Sequence, residues 1–511
     1  MTSSRALLSA LHAAAVQGAA PFLRTRQAVD QWLDVHTAGP DTAGVPIHVF
    51  ALGKAAWAMA EGACAALEAR GLSVTGGIVV SNHLPDAAHP GDFAALPEVL
   101  RRCLGDHPVP GPASLEAADA IDDAIGDIAP EALALVLLSG GTTALCAAPI
   151  PALSQAVGDT DRAQAHVANL AQTLLESGLA IHEMNAIRRR VLRFGAGRLA
   201  TALARRGVRR IGTFAISDVI GDHPAVIGSG PCSADALADE EFLALLDAHD
   251  LRGRLERAMS TVLGLEGRGL PPTVPAADDP AFGLVDYTLV ATNRDAVDGM
   301  AEAARAQGIA NVLVDAEPLE GDADAVGRAL IVRALRMAAS FPRGTPTGAS
   351  TVLLSGGEPV VNLRDTIERA VRHGDEDDAR RAEAGVEAEA NAQTRQPVPA
   401  AADEPMRGGR MQVVALAAAL ALEEAAMRGN PHAWQIAVLA AGTDGRDGPT
   451  DAAGAIVDAA VPALARRAGR TPEGDLETGR SWFSLHAADA LLRTGPTGTN
   501  VMDVVAVLIH A

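Results

Sequence analysis

The sequence predicts an α/β protein of two domains, each built on a mainly parallel sheet. Three observations carry this. The chain has 511 residues, more than one compact core takes up at roughly 150 residues per domain. Short apolar runs repeatedly give way to a Gly- or Asp-rich turn and then to an Ala-rich helical stretch, the pattern of βαβ units. Hydrophobic residues make up 48% and charged residues 21% of the chain, but aromatics only 3%, so a globular core of Ala, Leu, Val and Ile is expected.

The elements follow in order. Leu7, Leu8, Leu11, Ala14 and Ala15 recur at helical spacing, and Ser9, His12 and Gln17 interrupt the run. The N-terminus therefore reads as an amphipathic helix, although Arg5 before it and Gly18-Ala19-Ala20 after it have a signal-peptide outline. Strands are expected over 47–52, 133–138, 211–216, 287–291, 352–354 and 436–440. The turns after them are Gly53-Lys54, Ser139-Gly140-Gly141, Ser217-Asp218, Thr292-Asn293, Ser355-Gly356-Gly357 and Ala441-Gly442-Thr443-Asp444. Ligands of such sheets gather beyond the carboxyl ends of the strands, where these turns lie. A last apolar strand follows Asn500. The linker 267–280, with Pro271-Pro272, places the domain boundary there, giving domains 1–265 and 266–511. Seven acidic residues and two arginines in 375–389, then a Pro-rich run, mark a charged surface insertion at about 365–405.

Charge and cysteine content exclude several functions. A net charge of −21 argues against nucleic acid or an anionic membrane as partner. The four cysteines form no CxxC pair, which fits a reducing cytoplasm and no structural zinc. No run of 18 apolar residues suggests a membrane span. Nine arginines between Arg188 and Arg210 read first as a solvated helix face.

One count stands out. Of 42 Lys and Arg, one is lysine, Lys54. Where arginine has replaced lysine everywhere else, the survivor is either chance, a surface lysine in a helix's first turn, or a place needing a compact point charge, as phosphate chemistry does. Gly53-Lys54-Ala55-Ala56 stands where a strand becomes a helix, though not with Walker spacing. Ser139-Gly140-Gly141-Thr142 offers amides and hydroxyls to an anion, or is simply a tight βα turn. Ser355-Gly356-Gly357-Glu358 is a similar turn with a carboxylate. Asp218 and Asp222 could hold Mg2+ or take a proton, or be solvated caps. Asp444, Asp447 and Asp451, spaced by glycines, suit a hard cation or an acidic turn. Thr497 and Asn500 lie in a Gly- and hydroxyl-rich loop before the final strand. His107 and His223 each precede proline and are weak candidates.

Taken together, these motifs resemble the glycerate 2-kinase family, with its C-terminal MOFRL domain, whose members also carry the name hydroxypyruvate reductase. Gly53-Lys54-Ala55-Ala56, Ser139-Gly140-Gly141, Ser217-Asp218-Val219 with Gly221-Asp222, Ser229-Gly230-Pro231, Ser355-Gly356-Gly357-Glu358, Gly408-Gly409-Arg410, the 442–454 block and 495–500 appear in the family's order. Departures are Met411-Gln412-Val413 where the family has Asn-Gln-Glu, Arg190, Leu192 and Gly195 in the helix-entry block, and Asp106 where it has Gly. The resemblance implies two α/β domains around an interdomain cleft, ATP and Mg2+ as cofactors, and phosphoryl transfer to the 2-hydroxyl of D-glycerate. Catalytic roles would fall to Lys54, Arg410 and Asp444. Nucleotide or substrate would be held by Gly53, Ser139, Gly140, Gly141, Thr142, Ser355, Gly356, Gly357, Glu358, Thr497 and Asn500, and metal by Asp218, Asp222 and Asp447. The resemblance leaves room for a homodimer. The rival is an NAD(P)H-dependent hydroxypyruvate reductase, for which no convincing GxGxxG fingerprint is present; a kinase for a related hydroxy acid or a non-catalytic sensor are further readings.

Overall fold

The computed structural model describes residues 2–37, 44–83, 96–107, 109–175, 177, 179, 181–235, 237–251, 274–341, 350–361 and 405–510. The expected boundary at 265/266 and nearly all of the 365–405 insertion lie outside them. The chain divides into two units: residues 20–292, and residues 1–19 together with 293–511. Helix α1 (Thr2–Gly18) thus belongs with the C-terminal half.

In the first unit, helix α2 (Pro21–His36) precedes strand β1 (Ile47–Leu52), α3 (Ala56–Glu68), β2 (Gly76–Ser81), β3 (Leu100–Leu104), α4 (Pro112–Gly126) and β4 (Leu133–Leu138). Helices α5 (Thr142–Leu145), α6 (Pro151–Val157), α7 (Thr160–Leu175), α8 (Ile181–Val191) and α9 (Arg198–Arg205) follow, then β5 (Arg210–Ile216), α10 (Asp239–Ala248) and β6 (Val285–Ala291). The sheet order is β3-β2-β1-β4-β5-β6, and every pairing is parallel. Strands β1 and β4 are buried along their whole length, as continuous apolar runs in a sheet covered on both faces must be. Because β6 completes this sheet beside β5, the first unit runs on to Thr292, past the boundary that the Pro-rich linker suggested.

In the second unit, α11 (Asn293–Ala306), β7 (Asn311–Val314), α12 (Ala323–Ala339), β8 (Ser350–Gly357), α13 (Arg410–Met427) and β9 (Ile436–Gly442) lead to β10 (Gly454–Asp458). Short helices α14 (Val461–Arg467), α15 (Pro472–Glu477) and α16 (Ser481–Ala487) then precede β11 (Leu491–Leu492) and β12 (Asp503–His510). The order is β11-β10-β9-β12-β8-β7. Here the expectation of a mainly parallel sheet fails. Only β7 and β8 pair in parallel; the other four pairings are antiparallel. The cause is β12, which inserts between β8 and β9 and runs against both, while β10 folds back on β9.

Small residues let the helices approach closely. A Cβ on Gly299 would stand 2.6 Å from the Ala14 carbonyl oxygen, and one on Gly18 would stand 2.5 Å from that of Asp295. This fits α1 against α11 and buries Leu8, Leu11 and Ala15 completely, so the N-terminal apolar face is a packing face. The segment Ser4–His36 has the length and hydropathy of a membrane span, but it is two helices, broken at Ala19-Ala20. Helix α13 is buried from Met411 through Leu420, and Gly327 of α12 meets its backbone at 2.4 Å from a notional Cβ to the Val414 oxygen.

The first half of the arginine-rich stretch 188–210 is not a solvated face, whereas Arg205, Arg206 and Arg209 are exposed. Arg190 is fully buried and binds Asp235 and Asp239. Arg189 pairs with Asp235 at 2.6 Å. Arg198 donates to the carbonyls of Arg189, Arg190, Leu192 and Gly195. Internal pairing, with each charge matched, is what burial of guanidinium groups demands.

Candidate active site

In the first sheet, strand order reverses between β1 and β4. Crossovers leave to opposite sides there, opening a crevice beyond the carboxyl ends of the two strands. Gly53-Lys54 follows β1, and Ser139-Gly140-Gly141 follows β4, so the two motifs lie side by side. The Lys54 N–H donates to the Gly140 oxygen at 2.9 Å, and the Ser139 N–H to the Leu52 oxygen at 3.0 Å. The Ala55 N–H donates to Ser139 Oγ at 3.0 Å, and the Ala56 N–H to the Gly53 oxygen. Glycine is required at 53: its φ is +127°, and a Cβ would stand 2.2 Å from Ser139 Oγ. At the start of α3 the amides of 54 to 56 are therefore spent on the turn itself. Positive charge there comes from the Lys54 ammonium, not from a free amide cradle.

Gly141 turns the chain out of β4 at φ +86°. The Thr142 hydroxyl donates to the Leu52 and Ser139 oxygens, which makes it a brace between the two turns. Thr143 Oγ1 meets Ser229 Oγ at 2.8 Å, tying this turn to the Ser229-Gly230-Pro231 segment. Beyond Gly141, 3.1 Å from a notional Cβ, stands the ring of His107, with the Lys54 stem at 3.2 Å. Burial and the Lys54 charge lower the His107 imidazole to about 4. The sequence marks His107 only as a weak candidate, because a histidine before proline carries no pattern of its own.

Asp218 and Asp222 follow β5. Asp222 has φ +54°, and its Oδ1 is buried without a hydrogen-bond partner among the described residues. A strained carboxylate with an unsatisfied oxygen fits a cation. Among the described residues no group of three His, Cys, Asp or Glu side chains could form a metal cage. Mg2+ does not need one, since one or two carboxylates and substrate phosphates suffice.

The second unit gathers the remaining predicted residues where β12 enters between β8 and β9. Asp503, first residue of β12, pairs with Gly357 on one side and Gly442 on the other. Its carboxylate accepts from Arg410 Nε at 2.5 Å and from an Arg410 terminal nitrogen at 3.3 Å. Arg410 also binds Glu358 at 2.8 Å. Burial alone would lower the Arg410 guanidinium, but Asp503 and Glu358 hold it above the usual arginine range. Burial pushes the Asp503 carboxyl up to about 7 against the pull of Arg410; the two-nitrogen contact marks it as the anion of the pair. Asp503 is not among the residues the motifs single out, although a carboxylate opening an apolar strand is itself a signal.

Asp447, expected as a metal ligand, has another task. Its two oxygens accept the Met411 and Gln412 N–H groups at 3.0 and 2.7 Å, anchoring the first turn of α13. Gly409 must be glycine because a Cβ would stand 2.2 Å from Asp447 Oδ1. Burial pushes Asp447 up to about 6. Asp444 is half-buried and caps its own turn, Oδ1 accepting the Arg446 N–H at 2.9 Å. Thr497 donates to the Thr443 oxygen at 2.6 Å, and Asn500 Oδ1 accepts the Met502 N–H, so both shape the loop. Ser355, Gly356 and Gly357 do not form a turn. They end strand β8, and Ser355 Oγ donates to Asp315 at 2.6 Å.

Comparison with known proteins bears on the family and the fold. A family model described as a domain of unknown function, DUF4147, matches residues 7–264, and the MOFRL family matches 398–503. A putative hydroxypyruvate reductase of Agrobacterium vitis is 32% identical over 461 residues, covering 90% of this chain and 86% of the relative. D-glycerate 2-kinase of Thermotoga maritima is 28% identical, covering 90% and 89%. Human glycerate kinase is 30% identical, covering 76% and 70%. A crystal structure of glycerate kinase from Thermotoga maritima shares the fold, with a TM-score of 0.69 over 100% of both chains at 24% identity. The chain therefore belongs to the glycerate 2-kinase family, as a DUF4147 domain followed by a MOFRL domain.

Proposed function

We propose that this protein is an ATP-dependent D-glycerate 2-kinase of the cytoplasm. The observation that carries the reading is the chain's one lysine at the β1/β4 switch point, beside the Gly140-Gly141 turn. In the reaction a bond forms between the glycerate 2-oxygen and the γ-phosphorus. The bond from that phosphorus to the β,γ-bridging oxygen breaks, ADP keeps the electron pair, and the hydroxyl proton leaves to water. Such transfer needs positioning and charge neutralisation more than covalent chemistry. Lys54 neutralises the migrating phosphoryl group. Gly140 and Gly141 present amides, with Ser139 and Thr142 bracing them. Arg410, held by Asp503 and Glu358, binds an anionic group of nucleotide or glycerate, with Asp444 beside the same strand ends. Asp222, seconded by Asp218, would hold Mg2+, which supplies charge neutralisation on the phosphates when bound.

The 3-2-1-4-5-6 strand order also occurs in dinucleotide-binding domains, and some relatives carry a reductase name, so the reductase reading has a footing. Two features weigh against it. The first βα turn has Lys54 where a pyrophosphate would want bare backbone, and β2 ends in Ser81-Asn82 instead of an acidic ribose ligand. A panel of hydroxy acids with ATP and Mg2+ tests the proposal. The expected result is ADP release with D-glycerate and a product phosphorylated at C2 by NMR. NADH oxidation with hydroxypyruvate and no ADP release would reverse the assignment.

A further inference from the structure

We infer that His107 orients the acceptor hydroxyl beside Lys54, and that Asp106 and Ser114 hold it there as a built clasp. This rests on the kinase reading above. Strand β3 delivers the segment to the same end of the sheet as Gly53-Lys54 and Gly141. Gly105 lets it close in, since a Cβ there would stand 2.2 Å from the Leu145 oxygen. Asp106 then fastens this segment to Ser114 by two hydrogen bonds. Its carboxylate accepts the Ser114 N–H at 3.2 Å, and its own N–H donates to Ser114 Oγ at 3.0 Å. Ser114 is fully buried in α4, and Gly111 leaves room for the carboxylate, 2.7 Å from a notional Cβ. The Asp106 carboxylate is thus committed to a helix start, and the residue after it is aimed at Gly141.

The His107 ring meets Gly141 through Cδ2 at 3.1 Å and Nε2 at 3.3 Å from the notional Cβ, with Lys54 Cγ at 3.2 Å from the same point. Ring and lysine stem therefore share one small patch of the turn. Beside an ammonium, and half-buried, the imidazole stays neutral, with one nitrogen able to accept a hydrogen bond. It is too weak a base to keep a proton at neutral pH, so its contribution is alignment of a hydroxyl, not proton storage. Lys54 and His107 then divide the work: the cation faces phosphoryl oxygen, and the neutral acceptor faces the alcohol.

The test uses the full-length enzyme with D-glycerate and Mg-ATP. His107→Leu should lower kcat about 100-fold while KM for ATP changes less than about twofold, and His107→Asn should recover about tenfold of the loss. Asp106→Ala should move kcat in the same direction by about tenfold. Histidine NMR adds a readout that packing alone would not move. His107 should remain neutral down to about 4, and Lys54→Met should raise that titration. A folded His107→Leu enzyme with wild-type kcat would overturn the inference and leave the kinase reading intact. So would loss in His107→Leu with no recovery in His107→Asn and no response of the titration to Lys54→Met. Should His107→Leu not fold, His107→Asn and the titration decide. No glycerate-dependent ADP release by the wild type would instead remove the kinase reading, and the role of His107 with it.

Discussion

The five residues Leu-Leu-Ser-Gly-Gly occur twice, at 137–141 and 353–357, and the protein uses them in opposite ways. At the first copy the strand stops at Leu138, Gly141 swings to φ +86°, and the chain turns into α5. At the second, all five residues stay in β8, paired with β12 down to Gly357 opposite Asp503. The difference comes from neighbours. The first copy lies between parallel strands β1 and β5, whose own chains turn away at the same level. Beside the second runs an antiparallel strand whose amino end extends the ladder, and Leu319 pairs with Gly357 from the other edge. One copy forms a tight turn beside Lys54, the other a ladder next to Asp503, the partner of Arg410.

Substitutions can break that contrast. Gly356→Ala should have the largest effect on folding. Its Cβ would stand 1.8 Å from Asn293 Oδ1, and Asn293 cannot move freely because its Nδ2 donates to the Val501 and Asp503 oxygens at 2.7 and 2.9 Å. A loss of about 3 kcal/mol in denaturant unfolding is expected. Asp503→Asn, on the same ladder, keeps the shape but removes the anion behind Arg410. Turnover should fall about 30-fold, roughly 2 kcal/mol of transition-state stabilisation, with the circular dichroism spectrum retained.

The helix leaving the Lys54 turn offers a pH signature. Glu61 of α3 is 5% exposed, and its Oε2 has no partner among the described residues. Burial raises it to about 7 from 4.5. The native state therefore holds a proton that the unfolded chain has lost between these values. Its contribution is favourable below about 4.5 and is lost as pH rises from there through 7, a fall of about 3 kcal/mol by pH 8. Glu61→Gln should flatten that slope in thermal unfolding. Gly141→Ala should have the smallest effect on stability, about 1–2 kcal/mol for the positive φ, since its neighbours there are side chains of His107 and Lys54. Its cost should fall on turnover, the reverse of Gly356→Ala.

Much of this was legible in the sequence. Continuous apolar runs gave away β1, β4 and β5 because a sheet covered on both faces needs no alternation. The lone lysine and the Gly53 turn were legible because one is unique in composition and the other closes a continuous apolar run. Pairing direction in the second sheet was not, since β12 reads as the same apolar run whichever way it lies. The tasks of Asp447 and Asp503 were hidden for a related reason: each acts on a partner at least 35 residues away in sequence, and neither spacing nor composition carries such a contact. Asp106 stands out in the sequence only as a departure and His107 only as a weak candidate, because their meaning depends on Ser114 and Gly141 lying beside them.

The central claim is that an ammonium, and not merely a positive charge, is needed at position 54 in a chain where arginine fills every other basic position. Lys54→Arg tests it most directly, by ADP release from Mg-ATP with D-glycerate at equal folded concentration. A folded protein with turnover reduced about 100-fold or more is expected, because a planar fork cannot occupy the space of a compact cation against Gly141. Wild-type turnover in Lys54→Arg would contradict it.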